Sequence, residues 1–140
     1  MVSICIPKIK ATQLIGELGI RDHNDLIMYL EDICAHKGVF VQYSELNNCE
    51  GRLVVNESNA VITVAKNKEY PGRTRYSIAH EMGHFDLHRS KKAHWECGED
   101  DLHNWLEHKN DVNMEMEANQ FASELLLPSN LLKQDLLLWR

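Results

Sequence analysis

Residues Tyr76 to His88 read YSIAHEMGHFDLH. No proline interrupts Thr74 to Leu87, and Ile78, Ala79, Met82 and Phe85 recur at helical spacing. The same run carries His80, Glu81, His84 and His88. The small and apolar neighbours Ser77-Ile78-Ala79 and Met82-Gly83 suit a buried helix. Unpaired buried polar groups are costly, so such a helix needs partners for its histidines and glutamate. A metal ion is one partner. The plainer alternative is a polar helix on the surface of an ordinary domain.

His80-Glu81-Met82-Gly83-His84 is an H-E-x-x-H pattern. Residues four apart on a helix lie about 40° apart around the axis and one turn along it, so His80 and His84 present both rings to one side. Zinc takes imidazole nitrogen at about 2.0–2.1 Å in tetrahedral geometry, and two such rings reach one ion. Glu81, about 100° round from His80, hangs beside that ion. A metal-bound water sheds a proton near pH ~7, and a glutamate so placed takes it as general base.

Two histidines leave the site incomplete. In H-E-x-x-H-x-x-G-x-x-H a third histidine completes it, but here Leu87 stands at the glycine position and Ser90 at the last histidine. His88 lies on the same face, a further turn of about 6 Å beyond His84. It reads as a residue behind the ligands, a substrate-side group or a polar helix end. The other solution is a carboxylate from a second helix. Glu115 shares a face with Asn119, so Glu115 suits the metal while Asn119 takes the free N–H of a liganding histidine and fixes its ring. Glu117 is about 200° round from Glu115, so both cannot address one ion, and Glu117 reads as solvated surface. The expected ligands are His80, His84 and Glu115.

Around these motifs the 140 residues read as one α+β domain, helices first, then strands, then helices. N-terminal helices occupy 1–37, a short one around Thr12 to Leu18 and an amphipathic one from Asn24 to His36, capped by Asp22 or Asn24 and ended by Gly38. A small sheet occupies 39–65: Val39–Tyr43, then Gly51–Val55 and Ala60–Ala65 as a hairpin around Asn56–Asn59. A loop punctuated by Pro71-Gly72 leads to the metal helix, 74–88. The charged segment 89–110 reads as a loop or lid, with one helical turn near Leu102 to Leu106. Asp111 caps a glutamate-bearing helix over 111–127. A last helix, 129–140, has an apolar face of Leu131, Leu132, Leu136, Leu138 and Trp139 that needs cover from the core or from a second subunit.

The formal net charge is −6, and the basic clusters Arg73–Arg75 and Arg89–Lys92 are short, which weighs against direct nucleic-acid binding. No apolar run approaches the roughly 20 residues of a membrane span, and no export signal is evident. Cys5, Cys34, Cys49 and Cys97 are scattered without a C-x-x-C pair, consistent with reduced thiols in a cytoplasm.

Two blocks together, RTRYSIAHEMGHFDLH and EMEANQFASELLLP, resemble the ImmA/IrrE family of metallopeptidases. The matching positions are Arg75, Tyr76, Ala79 to His84, Leu87 and His88, then Glu115, Ala118, Asn119, Phe121, Ala122 and Leu125 to Pro128. The resemblance implies a zincin-like core akin to thermolysin's, with a small antiparallel or mixed sheet, a zinc helix and a second helix giving the glutamate. It implies Zn2+, with Mn2+ in some members, and a helix-turn-helix repressor as substrate, its cleavage derepressing phage, mobile-element or stress genes. The segment Arg89–Asn110 has no counterpart in that pattern. By analogy with the fold, Ala60–Ala65 as an edge strand would hold an extended substrate, and the oxyanion partner is open among His88, Tyr76, His94, His103 and His108. The rival readings are a metal-containing module that sequesters a repressor without efficient proteolysis, and a toxin-antitoxin partner whose metal only holds the fold. Glu81 speaks against both, because a structural site needs no base.

Overall fold

The computed structural model describes residues 5–21, 30–46, 49–65, 71–91, 94–97 and 109–128. In chain order the elements are α1 (Ile6–Glu17), α2 (Leu30–His36), β1 (Val39–Ser44), β2 (Gly51–Val55), β3 (Ala60–Ala65), α3 (Pro71–His88), β4 (His94–Cys97) and α4 (Lys109–Leu126). The architecture is α+β.

The strand order is β1-β3-β2-β4. β3 runs parallel to β1 and antiparallel to β2, with Ile62 opposite both Val41 and Leu53. An almost unbroken apolar run, Ala-Val-Ile-Thr-Val-Ala, suits a strand flanked on both sides and covered on its face. Its one polar member, Thr63, is buried and accepts a hydrogen bond from Gln42 Nε2 at 2.8 Å. β2 and β3 form the expected hairpin. Asn56 holds its loop: the side-chain oxygen accepts the Ser58 and Asn59 N–H groups at 3.0 and 2.7 Å. β3 is not an edge strand, so the expectation that Ala60–Ala65 receives a substrate strand is overturned: β1 and β2 already satisfy its backbone.

α3 is the central helix. Every residue from Ser77 to Phe85 is buried, because α3 packs on α4, β3 and β2 and also meets α1 and α2. Ile78, Ala79, Met82 and Phe85 join Leu53, Ile62, Val64, Phe121 and Leu125 in one core, with Leu14, Ile33 and Cys34 from the N-terminal helices. Burial pushes the Cys34 thiol up to about 12, with the nearby Glu31 charge adding to it, so Cys34 is an inert core thiol.

The main departures from the sequence reading are these. α1 begins at Ile6, not Thr12, and α3 at Pro71, not Thr74. In each case a proline lies in the first turn, where its missing N–H removes no helical bond. Segment 89–110 is not simply a loop: His94–Cys97 pairs antiparallel with β2, Gly51 opposite Cys97 and Val54 opposite His94. α4 starts at Lys109, so Asp111 lies inside the helix and does not cap it. Gly38 ends α2 as expected, at φ 77 with its N–H on Ala35 O at 2.9 Å. The Asp22 and Asn24 caps, the turn near Leu102 and the helix over 129–140 lie outside the described residues.

Gly83 sets how closely α3 and α4 approach. A Cβ there would meet Ala118 Cα, Ala118 O and Phe121 Cβ, each at 3.1 Å. Two of these atoms are backbone and cannot swing aside. Gly83→Ala should therefore lower the melting temperature. Overpacking costs about 1–3 kcal/mol, against a helix-propensity gain of roughly 1 kcal/mol. A thermal melt showing a stabilised variant would mean that α4 has room to move.

Candidate metal centre

The close α3–α4 contact brings Glu115 onto the histidine face of α3. Glu115 Oε2 lies 2.7 Å from His80 Nε2, and Oε1 lies 3.0 Å from His84 Nε2. One ligand atom from each of His80, His84 and Glu115 falls within 4.8 Å of the others. A group this compact could hold a single metal ion. His80 is 7% exposed and His84 fully buried. The donor set of two neutral imidazole nitrogens and a carboxylate suits zinc or a similar divalent ion.

The far nitrogens of both rings are also engaged. His80 Nδ1 lies 2.8 Å from Asn119 Oδ1, and the Tyr76 hydroxyl donates to that oxygen at 2.7 Å. Asn119 Oδ1 thus accepts two hydrogen bonds, holding His80 with Nε2 toward Glu115. Tyr76 supports Asn119. His84 Nδ1 faces His88 Nδ1 at 3.1 Å, and His88 Nε2 faces Glu117 Oε1 at 3.3 Å. The solvated-surface reading of Glu117 is therefore corrected: it is half-exposed and reaches the buried ring of His88. The helical angle excluded Glu117 from the ion but said nothing of the end of α3.

Glu81 follows His80 and is 1% exposed. The backbone of β2 closes over it: a Cβ on Gly51 would lie 3.2 Å from Glu81 Cγ and Oε1. Gly83 counted in the sequence only as a small residue suiting a buried helix, and Gly51 did not stand out. A glycine inside a helical pattern signals close packing and would have marked Gly83. Nothing local marks Gly51. Of the loop histidines, His94 is on β4 and exposed, while His103 and His108 lie outside the described residues.

Both rings face one carboxylate, yet they respond in opposite directions. Burial pushes His84 down to about 4, aided by the neighbouring His80 and His88 and opposed by Glu115. For His80 burial acts the same way, but the Glu115 hydrogen bond, the Glu81 and Glu115 charges and Asn119 outweigh it and raise the ring above its ordinary value. Burial disfavours the Glu115 carboxylate, yet its bonds to both histidines hold it well below the usual range. Of the two rings, His80 therefore takes up a proton more readily.

A family model described as the IrrE N-terminal-like domain, a peptidase family, matches residues 34–138. The chain belongs to this family. It is accordingly a metallopeptidase-type chain, and the matched span contains the whole His80, His84, Glu115 cluster. No curated protein matches the chain individually. Among the described residues of this IrrE-like chain, no helix is long and apolar enough to cross a membrane.

Two outcomes follow. Glu115→Ala should weaken zinc binding by more than the roughly 10–100-fold typical of residues behind a ligand, while Glu117→Ala has a much smaller effect. Competition with a chelating dye measures both, and the reverse order would remove Glu115 from the ligand set. Metal uptake must also displace the His80 proton. Affinity should therefore fall as pH is lowered through a value above 6.5. Titrations showing the same affinity on both sides of that value would contradict it.

Proposed function

We propose that the chain is a metal-dependent endopeptidase of the ImmA/IrrE type. In this reading it has a thermolysin-like, H-E-x-x-H-plus-glutamate core, and His80, His84 and Glu115 hold zinc or, in its place, manganese. The observation that carries the reading is the convergence of those three ligands from α3 and α4 beside the buried carboxyl of Glu81. A structural zinc site is closed by four protein ligands and needs no acid or base, whereas three ligands beside a glutamate suit hydrolysis.

The bound ion would supply Lewis-acid polarisation of the scissile carbonyl and acidify water at the site. The protein does the rest. Glu81 accepts the proton of the attacking water at its carboxylate and delivers it to the leaving amine. Asn119, braced by Tyr76, keeps the His80 ring in place. Glu115 reaches both imidazoles and supplies the third ligand. The enclosure of Glu81 by Gly51 and the core limits competing water.

For substrate we propose a helix-turn-helix repressor, whose cleavage would derepress phage, mobile-element or stress genes. Support comes from the family and from the motif resemblance to ImmA/IrrE. The net charge of −6 favours a protein substrate over direct contact with nucleic acid.

Co-expression with a helix-turn-helix repressor, where one is encoded beside it, tests this reading. Wild type should cut the repressor. Glu81→Gln should retain metal and lose at least about 100-fold in cleavage, the lower end of what a general base contributes. A Glu81→Gln protein that cuts like wild type would sink the mechanism. A wild type that captures the repressor intact would favour sequestration instead.

A further inference from the structure

His88 and Glu117 are not metal ligands, yet both stand in line behind one. His84 Nδ1 to His88 Nδ1 is 3.1 Å, and His88 Nε2 to Glu117 Oε1 is 3.3 Å. His84 turns Nε2 to Glu115 at 3.0 Å. His84 and His88 are almost completely buried, and their ring centroids are 5.3 Å apart. We infer that His84, His88 and Glu117 form a directed hydrogen-bond array in which Glu117, acting through His88, fixes the tautomer and orientation of the liganding His84. The inference rests on the reading of His80, His84 and Glu115 as a metal site.

The direction follows from donor and acceptor counting. A neutral imidazole has one N–H donor and one acceptor nitrogen. Ligation through His84 Nε2 leaves the hydrogen on His84 Nδ1. That N–H points at His88 Nδ1, which must accept it. The single hydrogen of His88 therefore sits on Nε2, and the group facing it is a carboxylate oxygen, an acceptor only. Each member has one assignment, and the three agree. The opposite tautomer of His88 would set two N–H groups against each other over 3.1 Å and leave Glu117 facing a lone pair. His80 and His84 are thus held by different devices, an amide oxygen for one and a histidine–carboxylate pair for the other. Partners behind a ligand fix its ring and raise its basicity, commonly by 10–100-fold in metal affinity.

The test reads imidazole tautomers by 15N NMR of the zinc-loaded full chain, together with zinc affinity of variants by chelator competition. Wild type should take up zinc, with the hydrogen of His84 on Nδ1 and that of His88 on Nε2. Glu117 is half-exposed, so water can replace its carboxylate at His88: Glu117→Ala should fold, with at most a small drop in the metal-free melting temperature, and bind zinc several-fold more weakly. Glu117→Gln, whose amide oxygen still accepts the His88 N–H, should restore most of that loss. A merely structural Glu117 would neither change the His84 and His88 tautomers when removed nor separate alanine from glutamine in zinc affinity. If wild type takes up no zinc, the metal-site reading falls, and this inference with it. If zinc binds but His88 carries its hydrogen on Nδ1, or Glu117→Ala binds as tightly as wild type, the inference alone is overturned.

Discussion

The structure depends on one contact between two helices, where Gly83 of α3 lies against the backbone of Ala118 on α4. With no side chain at Gly83, α4 comes close enough for Glu115 to reach both His80 and His84. Those two residues sit a turn apart on α3, and Glu115 joins their Nε2 atoms. The same approach sets Asn119 against the back of His80. Packing and chemistry are therefore one constraint here, since anything that separates the helices takes the carboxylate from the histidines.

A helix buried along its whole middle should be apolar, and α3 is not. His80, Glu81, His84 and His88 are all buried in it. Polar groups are tolerated in a low-dielectric interior when they are satisfied by one another or by an ion. α4 supplies that satisfaction at three places: Glu115 in front of the two rings, Asn119 behind His80 and Glu117 behind His88. Tyr76 adds a fourth polar group through Asn119. The polar face of α4 is matched to that of α3, and their apolar residues, Met82, Phe85, Phe121 and Leu125, share the core.

Much of this was legible in the chain. The hairpin strands Gly51–Val55 and Ala60–Ala65 are legible with their observed limits, because short apolar runs flanking a turn-forming Asn56–Asn59 are local signals. The grouping of His80, His84 and Glu115 was legible too, since four-residue spacing on a helix and a shared face with Asn119 are angular facts. β4 was missed: His94–Cys97 has no long alternation, and it becomes a strand by pairing with the edge of β2. β3 was misjudged as an edge because nothing within Ala60–Ala65 says which strands flank it. The first turn of α3 is hidden because Pro71-Gly72 reads as loop punctuation where the proline serves as a helix start, and no local signal marks Ile6 as the start of α1.

By itself the sequence determined the identity and phase of the chemical groups. His80, Glu81, His84 and His88 lie on α3, and Glu115 with Asn119 four residues on lies on α4. Backbone helix geometry dictates those relations whatever surrounds them. Only the tertiary structure decided which group meets which. Glu117 pairs with His88, Tyr76 turns its hydroxyl to Asn119, and Gly51 closes over Glu81. The physical reason is range. Periodicity fixes angles within one element, whereas contacts between elements depend on how closely backbones approach, and that distance is set by the small residues where they cross.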